Sequence, residues 1–339
     1  MKGWIYKGAE GFEFHDDLPY PVCGENDAII KCRVSAVCGS ENHAWPHDAA
    51  FMNVHHDKQM GHETVAEIVE LGENVKELEL GQRVFPLPYL CRPRSEGTVG
   101  CSLGAFSEYI LVKNAEKDVN LWPIPDNVTD EEAAGIEGIT VGYHAAKMSG
   151  AGEGKNVLIF GAAGIGVAAA QAAKYMGAAK VMVVGRREER LALAKEMDLE
   201  CVSTFDPDWK HKVYSYFGSY PLGKGTAANV QCFVDAAGSS ELFEDIIGLM
   251  GYGTTLSVPA MYRNAPSVPL LTVTFYSKHI VGSAGQDADD VRNVIQMAAS
   301  KKYHFDKYLT KLYAPEELVT AVKDAMAGKI LKAGLDFRK

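Results

Sequence analysis

Two rhythms of hydrophobic and polar positions divide the chain. Up to about residue 140 the apolar runs are short and strand-like, at 28–34, 64–69 and 107–112, with Gly, Pro and Asn between them. From about 155 to 285 the period lengthens. Apolar runs at 156–160, 180–184, 231–236, 253–258 and 279–281 read as strands, and helical spacing covers 165–176 and 187–197. Strands alternating with helices of this length predict βαβ units and a parallel sheet, hence an α/β chain. Residues 288–300 and 315–327 predict two further helices. No internal repeat or low-complexity tract interrupts the pattern.

The most informative segment is 157–166, Val-Leu-Ile-Phe-Gly-Ala-Ala-Gly-Ile-Gly, an apolar strand running into a glycine turn that opens a helix. The spacing is G-x-x-G-x-G rather than G-x-G-x-x-G, but the physics is shared. Backbone at Gly161, Ala163, Gly164, Ile165 and Gly166 can approach a pyrophosphate, whose charge meets the helix N-terminus. The next strand ends about 20 residues on, where an NAD site offers a carboxylate to the ribose 2′-hydroxyl. Gly185, Arg186 and Arg187 stand there instead, and the first acid is Glu188. A carboxylate repels a 2′-phosphate and a guanidinium clamps one, so NADP is expected, with NAD as the alternative. The glycine is expected to leave room for that phosphate.

Composition narrows the setting. The 339 residues allow about two domains. With 34 Lys and Arg against 44 Asp and Glu the net charge is −10, which argues against nucleic-acid or anionic-membrane partners. The longest near-apolar run, 157–170, has 14 residues and three glycines. A bilayer span needs about 20, so no transmembrane helix is expected. The first residues lack a signal-peptide pattern, and seven scattered cysteines do not form a disulfide framework. A soluble cytoplasmic protein is expected.

Cys38-Gly39-Ser40-Glu41-Asn42-His43 follows one predicted strand and Gly61-His62-Glu63 precedes another. Cys, His and Glu are zinc ligands when brought to tetrahedral spacing. Together with the later glycine turn, these segments resemble the zinc-dependent medium-chain alcohol and polyol dehydrogenases. The first is similar to that family's C-G-S-D-x-H signature, and the second to its G-H-E. Residues 81–84 (GQRV) are similar to its G-D-R-V, and residues 104–109 (GAFSEY) to its G-x-F-x-E-Y.

The resemblance covers nearly the whole chain. It implies a Rossmann-type doubly wound sheet (146–285) inserted in a mostly-β, barrel-like (GroES-like) catalytic domain formed by 1–145 and 286–339. It implies one catalytic zinc held by Cys38, His62 and a carboxylate. Glu63 and Glu137 are both assigned to the site, family members differ in which of the two coordinates directly, and Glu137 lacks the proline of the family's E-P-L. Ser40 and His43 match the family's proton-relay positions. Glu41 replaces the signature aspartate with a longer side chain. The family's structural zinc needs four cysteines, whereas 85–102 holds only Cys91 and Cys101, so no second zinc is expected. His55 and His56, near Trp45 and His47, read as loop histidines. Relatives place pocket-lining residues around Trp45, Phe51, Met52 and Tyr89.

The implied function is hydride transfer between NADP(H) and a secondary alcohol, polyol or ketone. The alternatives are a zinc-free enoyl or quinone reductase of the same superfamily, and a non-catalytic NADPH-binding protein. A homodimer or homotetramer is expected, with 266–276 a candidate for strand pairing between copies.

Overall fold

The computed structural model describes residues 1–47, 56–91, 103–328 and 330–338. The short-period region folds as β1 (Gly3–Tyr6), β2 (Phe12–His15), β3 (Ala28–Ala36), α1 (Gly39–Ala44), β4 (Glu63–Leu71), β5 (Arg83–Pro86), β6 (Tyr109–Val112), β7 (Leu121–Pro123), α2 (Asp130–Ala134) and α3 (Ile136–Met148). The longer period follows with β8 (Asn156–Phe160), α4 (Gly164–Tyr175), β9 (Lys180–Gly185), α5 (Glu188–Glu196), β10 (Glu200–Ser203), α6 (Trp209–Phe217), β11 (Ser219–Leu222), β12 (Gly225–Ala228) and β13 (Cys232–Asp235). It continues through α7 (Ser240–Leu249), β14 (Thr255–Val258), α8 (Leu270–Phe275), β15 (His279–Gly282) and α9 (Ala288–Ser300). Then come β16 (Lys311–Tyr313), α10 (Leu318–Met326) and β17 (Ala333–Asp336).

Two units result, residues 1–137 with 295–339, and residues 138–294. The divisions fall inside α3 and α9 rather than at the expected 145 and 285, because each helix runs on past the change of pattern. No helix among the described residues is long and apolar enough to cross a membrane.

In the first unit a seven-stranded sheet runs β16-β17-β3-β4-β5-β7, with β6 also paired to β3. Its core gathers Tyr6, Ile30, Ile68, Val84, Phe106 and Leu121 with Leu335 from near the C-terminus. Register is what matters for chemistry here. Ala36 of β3 lies opposite Glu63 of β4 on one side and Gly334 of β17 on the other. The chain leaving β3 at Cys38 therefore starts between His62 and Lys332.

The second unit holds a six-stranded parallel sheet, β10-β9-β8-β13-β14-β15, over a core that includes Leu158, Phe160, Val184, Phe233, Ile246 and Leu256. Strand order reverses between β8 and β13, the place where such sheets open a crevice at their C-terminal ends. Residues 266–276 do not supply the strand expected of them. Pro269 caps the short helix α8, and its carbonyl accepts from Thr272 and Val273, which overrides the β-propensity of Leu-Leu-Thr-Val-Thr-Phe.

The same unit carries an acid cluster that a lysine fills. His144 Nδ1 lies 2.6 Å from Asp290, and Lys147 Nζ lies 2.7 Å from Asp287 and 2.9 Å from Asp290. The Asp287 and Asp290 side chains each accept from the other's backbone N–H. This network clamps the end of α3 to the start of α9.

Candidate functional site

Cys38, His62 and Glu63 each present a ligand atom, and the three atoms lie within 4.8 Å of one another. The β3–β4 register produces this meeting, and Gly61 permits it. Gly61 has φ +86°, and a Cβ there would stand 2.8 Å from the Phe106 ring, so the G-H-E turn must start with glycine to seat against the GAFSEY loop. The Gly61 carbonyl accepts from Gly104 and Ala105.

Glu41 ties the two segments together. One oxygen accepts from the Cys38 backbone N–H at 2.8 Å, and the other stands 3.3 Å from His62 Nδ1. At that distance the carboxylate faces the imidazole as an ion-pair neighbour, and its Oε1 makes no hydrogen bond among the described residues. The longer side chain in place of the signature aspartate thus spans both contacts.

Lys332 is the residue the sequence reading missed. It is buried, and its ammonium lies 2.7 Å and 2.6 Å from the two oxygens of buried Glu63. Burial is the largest single influence and lowers its pKa. The charges of Glu63, Tyr308 and Cys38 and the hydrogen bond to Glu63 together outweigh it and hold the ammonium above the ordinary lysine value. Its only local signal is a single charge in the otherwise apolar run 330–335. Cys38 is half-buried as a residue, with its thiol enclosed. Burial and then the Glu63 charge push that thiol up to about 11, against the pull of His62 and Lys332. Holding a metal ion here would require the thiol to give up its proton.

A soft sulfur, an imidazole and a carboxylate, mutually within reach of one ion, fit zinc. A fourth feature fits its chemistry. Ser40, on α1, is 5% exposed, and its hydroxyl has no hydrogen-bond partner among the described residues. His43 follows one turn along the same helix and is half-buried.

Glu137, at the start of α3, is buried but does not belong to the mutually close set of three. Cys91 is a core residue whose Sγ donates to the Leu87 carbonyl at 3.2 Å, and Cys101 lies outside the described residues. The Trp45 ring packs edge-on against Phe12, with the Lys323 ammonium 5.2 Å from its centre. His56 packs edge-on against Tyr6, the exposed His47 accepts from Tyr6 through its carbonyl, and Tyr89 lies in a short 3-10 turn. Phe51, Met52 and His55 lie outside the described residues.

In the second unit a cavity of about 640 Å³ opens at the ends of β8 and β9, bordered by Gly161, Gly185, Arg186, Arg187, Arg190 and Phe205. Gly161 has φ +103°, and a Cβ there would meet the Ala236 carbonyl at 2.8 Å. Ala163 is the N-cap of α4, so Gly164, Ile165 and Gly166 form its first turn, whose N–H groups have no partner within the helix. Arg186 and Arg187 are exposed, and the Arg186 guanidinium lies 5.4 Å from the centre of the Phe205 ring.

Arg190 lies in the first turn of α5, four residues after Arg186, and is a further arginine the sequence pattern offers at this strand end. Its Nε is buried with no partner among the described residues, and burial and then the Arg187 charge depress its pKa. Gly185 needs a correction. A Cβ there would stand 2.8 Å from Leu191 and 3.0 Å from Ala162, so the space beside it is packed rather than left open for a phosphate.

Known proteins agree with this arrangement. A family model described as alcohol dehydrogenase GroES-like domain matches residues 24–126, and one described as zinc-binding dehydrogenase matches 164–300. L-threonine 3-dehydrogenase of Chelativorans sp. (strain BNC1) is 30% identical over 302 residues, covering 85% of this chain and 84% of its own. Sorbitol dehydrogenase of Ovis aries is 28% identical, covering 94% and 91%. The crystal structure of 2R,3R-butanediol dehydrogenase from Bacillus subtilis superposes with a TM-score of 0.85 at 20% identity over 99% of both chains. The chain belongs to the zinc-type medium-chain dehydrogenases, oxidoreductases that act on the CH–OH group of small alcohols and polyols with zinc and a nicotinamide dinucleotide.

Proposed function

We propose that this chain interconverts a secondary alcohol or polyol and its ketone, uses NADP(H) in preference to NAD(H), and holds one catalytic zinc per chain. The observation that carries the reading is the meeting of Cys38, His62 and Glu63, with the Ser40 hydroxyl, two residues on from Cys38, buried and without a hydrogen-bond partner among the described residues. A zinc-free enoyl or quinone reductase has no use for that set.

Zinc held by these three side chains would supply a Lewis acid for the reacting oxygen. Ser40 takes the alcohol proton and His43 relays it outward. Glu41 keeps the His62 ring aimed, and Lys332 offsets the anionic charge of Cys38 and Glu63. A nicotinamide dinucleotide would supply the hydride acceptor, and α4 and the β9 end would hold the rest of it. Glu137 would offer a further carboxylate to the metal. The cysteine count in 85–102 supports a single zinc.

The cofactor preference rests on Arg190. A partly enclosed guanidinium beside a second one, with no carboxylate partner among the described residues, is stabilised when an anion arrives. The ribose 2′-phosphate is that anion. A panel of secondary alcohols and polyols, run with both cofactors, is expected to show at least about tenfold higher kcat/KM with NADP. Arg190→Ala should lower the NADP value by roughly tenfold to 150-fold, the equivalent of a charge-assisted bond of about 1.5–3 kcal/mol, and leave the NAD value in place. A wild-type preference for NAD would remove the 2′-phosphate assignment while leaving the zinc chemistry untouched.

The second unit also carries an apolar surface with an open strand edge. Leu270, Leu271 and Phe275 on α8 are 67%, 73% and 71% exposed, and β15 pairs only with β14 among the described strands. Such a surface is suited to burial against a second copy. Light scattering should give a dimer or tetramer mass for the wild type and a monomer for Leu271→Glu with Phe275→Glu. A monomeric wild type at micromolar concentration would refute this.

A further inference from the structure

Tyr308 follows a short 3-10 turn, Phe305–Lys307, and is 3% exposed. The Lys332 ammonium, which donates to Oε1 of Glu63 and is ion-paired with its Oε2, stands 5.5 Å from the centre of the Tyr308 ring. The ring fills the core and faces a cation, and phenylalanine would do both equally well. The hydroxyl is what needs explaining. It is buried and has no hydrogen-bond partner among the described residues, a state in which a polar group is not normally kept. Its electrostatic neighbours are Lys332, Glu63, Cys38 and Glu137, so the phenol belongs to the surroundings of the metal centre.

We infer that Tyr308 is a positioning residue of the metal centre, its hydroxyl donating to Glu63 when that carboxylate turns from Lys332 toward a bound ion. Without metal, the Lys332 ammonium stands 2.7 Å and 2.6 Å from the two carboxylate oxygens and donates to Oε1, leaving Oε2 with an ion-pair contact but no hydrogen bond among the described residues. An ion that draws one oxygen away exposes lone pairs that the ammonium no longer covers. Tyr308 is a donor near this pair with nothing else to bond among the described residues. The hydroxyl is thus held in reserve for the loaded state, where it fixes the angle of the carboxylate. Outer-sphere donors of this kind set metal affinity by roughly 10–100-fold.

The inference rests on the zinc reading above, and its test is a binding measurement independent of turnover. Full-length wild type and Tyr308→Phe are stripped with a chelator, and zinc is titrated back against a competing indicator. Tyr308→Phe should bind zinc roughly 10–100-fold more weakly, and the metal-free variant should melt at the same temperature or higher, because an unsatisfied hydroxyl has been removed. With cobalt in place of zinc, its visible ligand-field bands should shift relative to wild type. Equal zinc affinity in the two proteins overturns the assignment, as does a lower melting temperature of the metal-free variant, which marks a hydroxyl bonded in the empty state. Zinc bound by neither protein overturns the zinc reading itself.

Discussion

Cys38→Ser is expected to leave a folded chain that binds dinucleotide and turns over nothing. The thiolate is the soft, strongly bound member of the ligand set, and a serine hydroxyl stays protonated at neutral pH and donates weakly. His62 remains, but Glu63 is shared with Lys332 at 2.6 Å, so what is left holds zinc poorly. Elemental analysis should find about one zinc per wild-type chain and little in the variant. Dinucleotide affinity should persist, because the nucleotide cavity is lined by residues of the other unit. Stoichiometric zinc with intact turnover in the variant would place the metal elsewhere.

Ser40→Ala should be as informative because it is so small a change. The hydroxyl has no partner among the described residues, so removing it breaks no recorded bond and should leave the melting temperature and zinc content in place. Turnover should nonetheless fall by roughly 10²–10⁴-fold, the range for a positioned acid–base group, and His43→Ala should fall comparably. Near-normal kcat in both variants across about pH 6–9 would mean that protons leave by another route.

Legibility in the sequence followed the range of the forces involved. Strands 156–160 and 180–184 and helix 288–300 match the structure within a residue, since apolar periodicity is a local property. Helix α6 was not legible. Trp209-Lys-His-Lys-Val-Tyr-Ser-Tyr-Phe217 is rich in β-formers, and its helix is set by burying Trp209, Val213 and Phe217 on one face. At the metal centre the two motifs named Cys38, His62 and Glu63 in advance. Lys332 is brought beside them only by the pairing of β17 with β3, a contact between segments about 300 residues apart that no local pattern encodes. Tyr308 carries no signal at all, for its meaning lies in what its hydroxyl does not touch.

The clamp of His144 and Lys147 on Asp287 and Asp290 makes the entrance and the exit of the nucleotide unit neighbours in space. Topologically, everything from Lys147 to Asp287 is then a closed excursion, equivalent to a loop whose ends are already tied. Closing a loop costs little more as it lengthens, about 0.6 kcal/mol per doubling. The excursion can therefore be exchanged for another parallel sheet with the same end spacing, or carry insertions, without the catalytic strands having to find new partners. A fragment cut just outside α3 and α9 would keep its own staple, whereas one cut between the clamp residues would be left with loose ends. In a chimera, these four side chains are the seam at which to join.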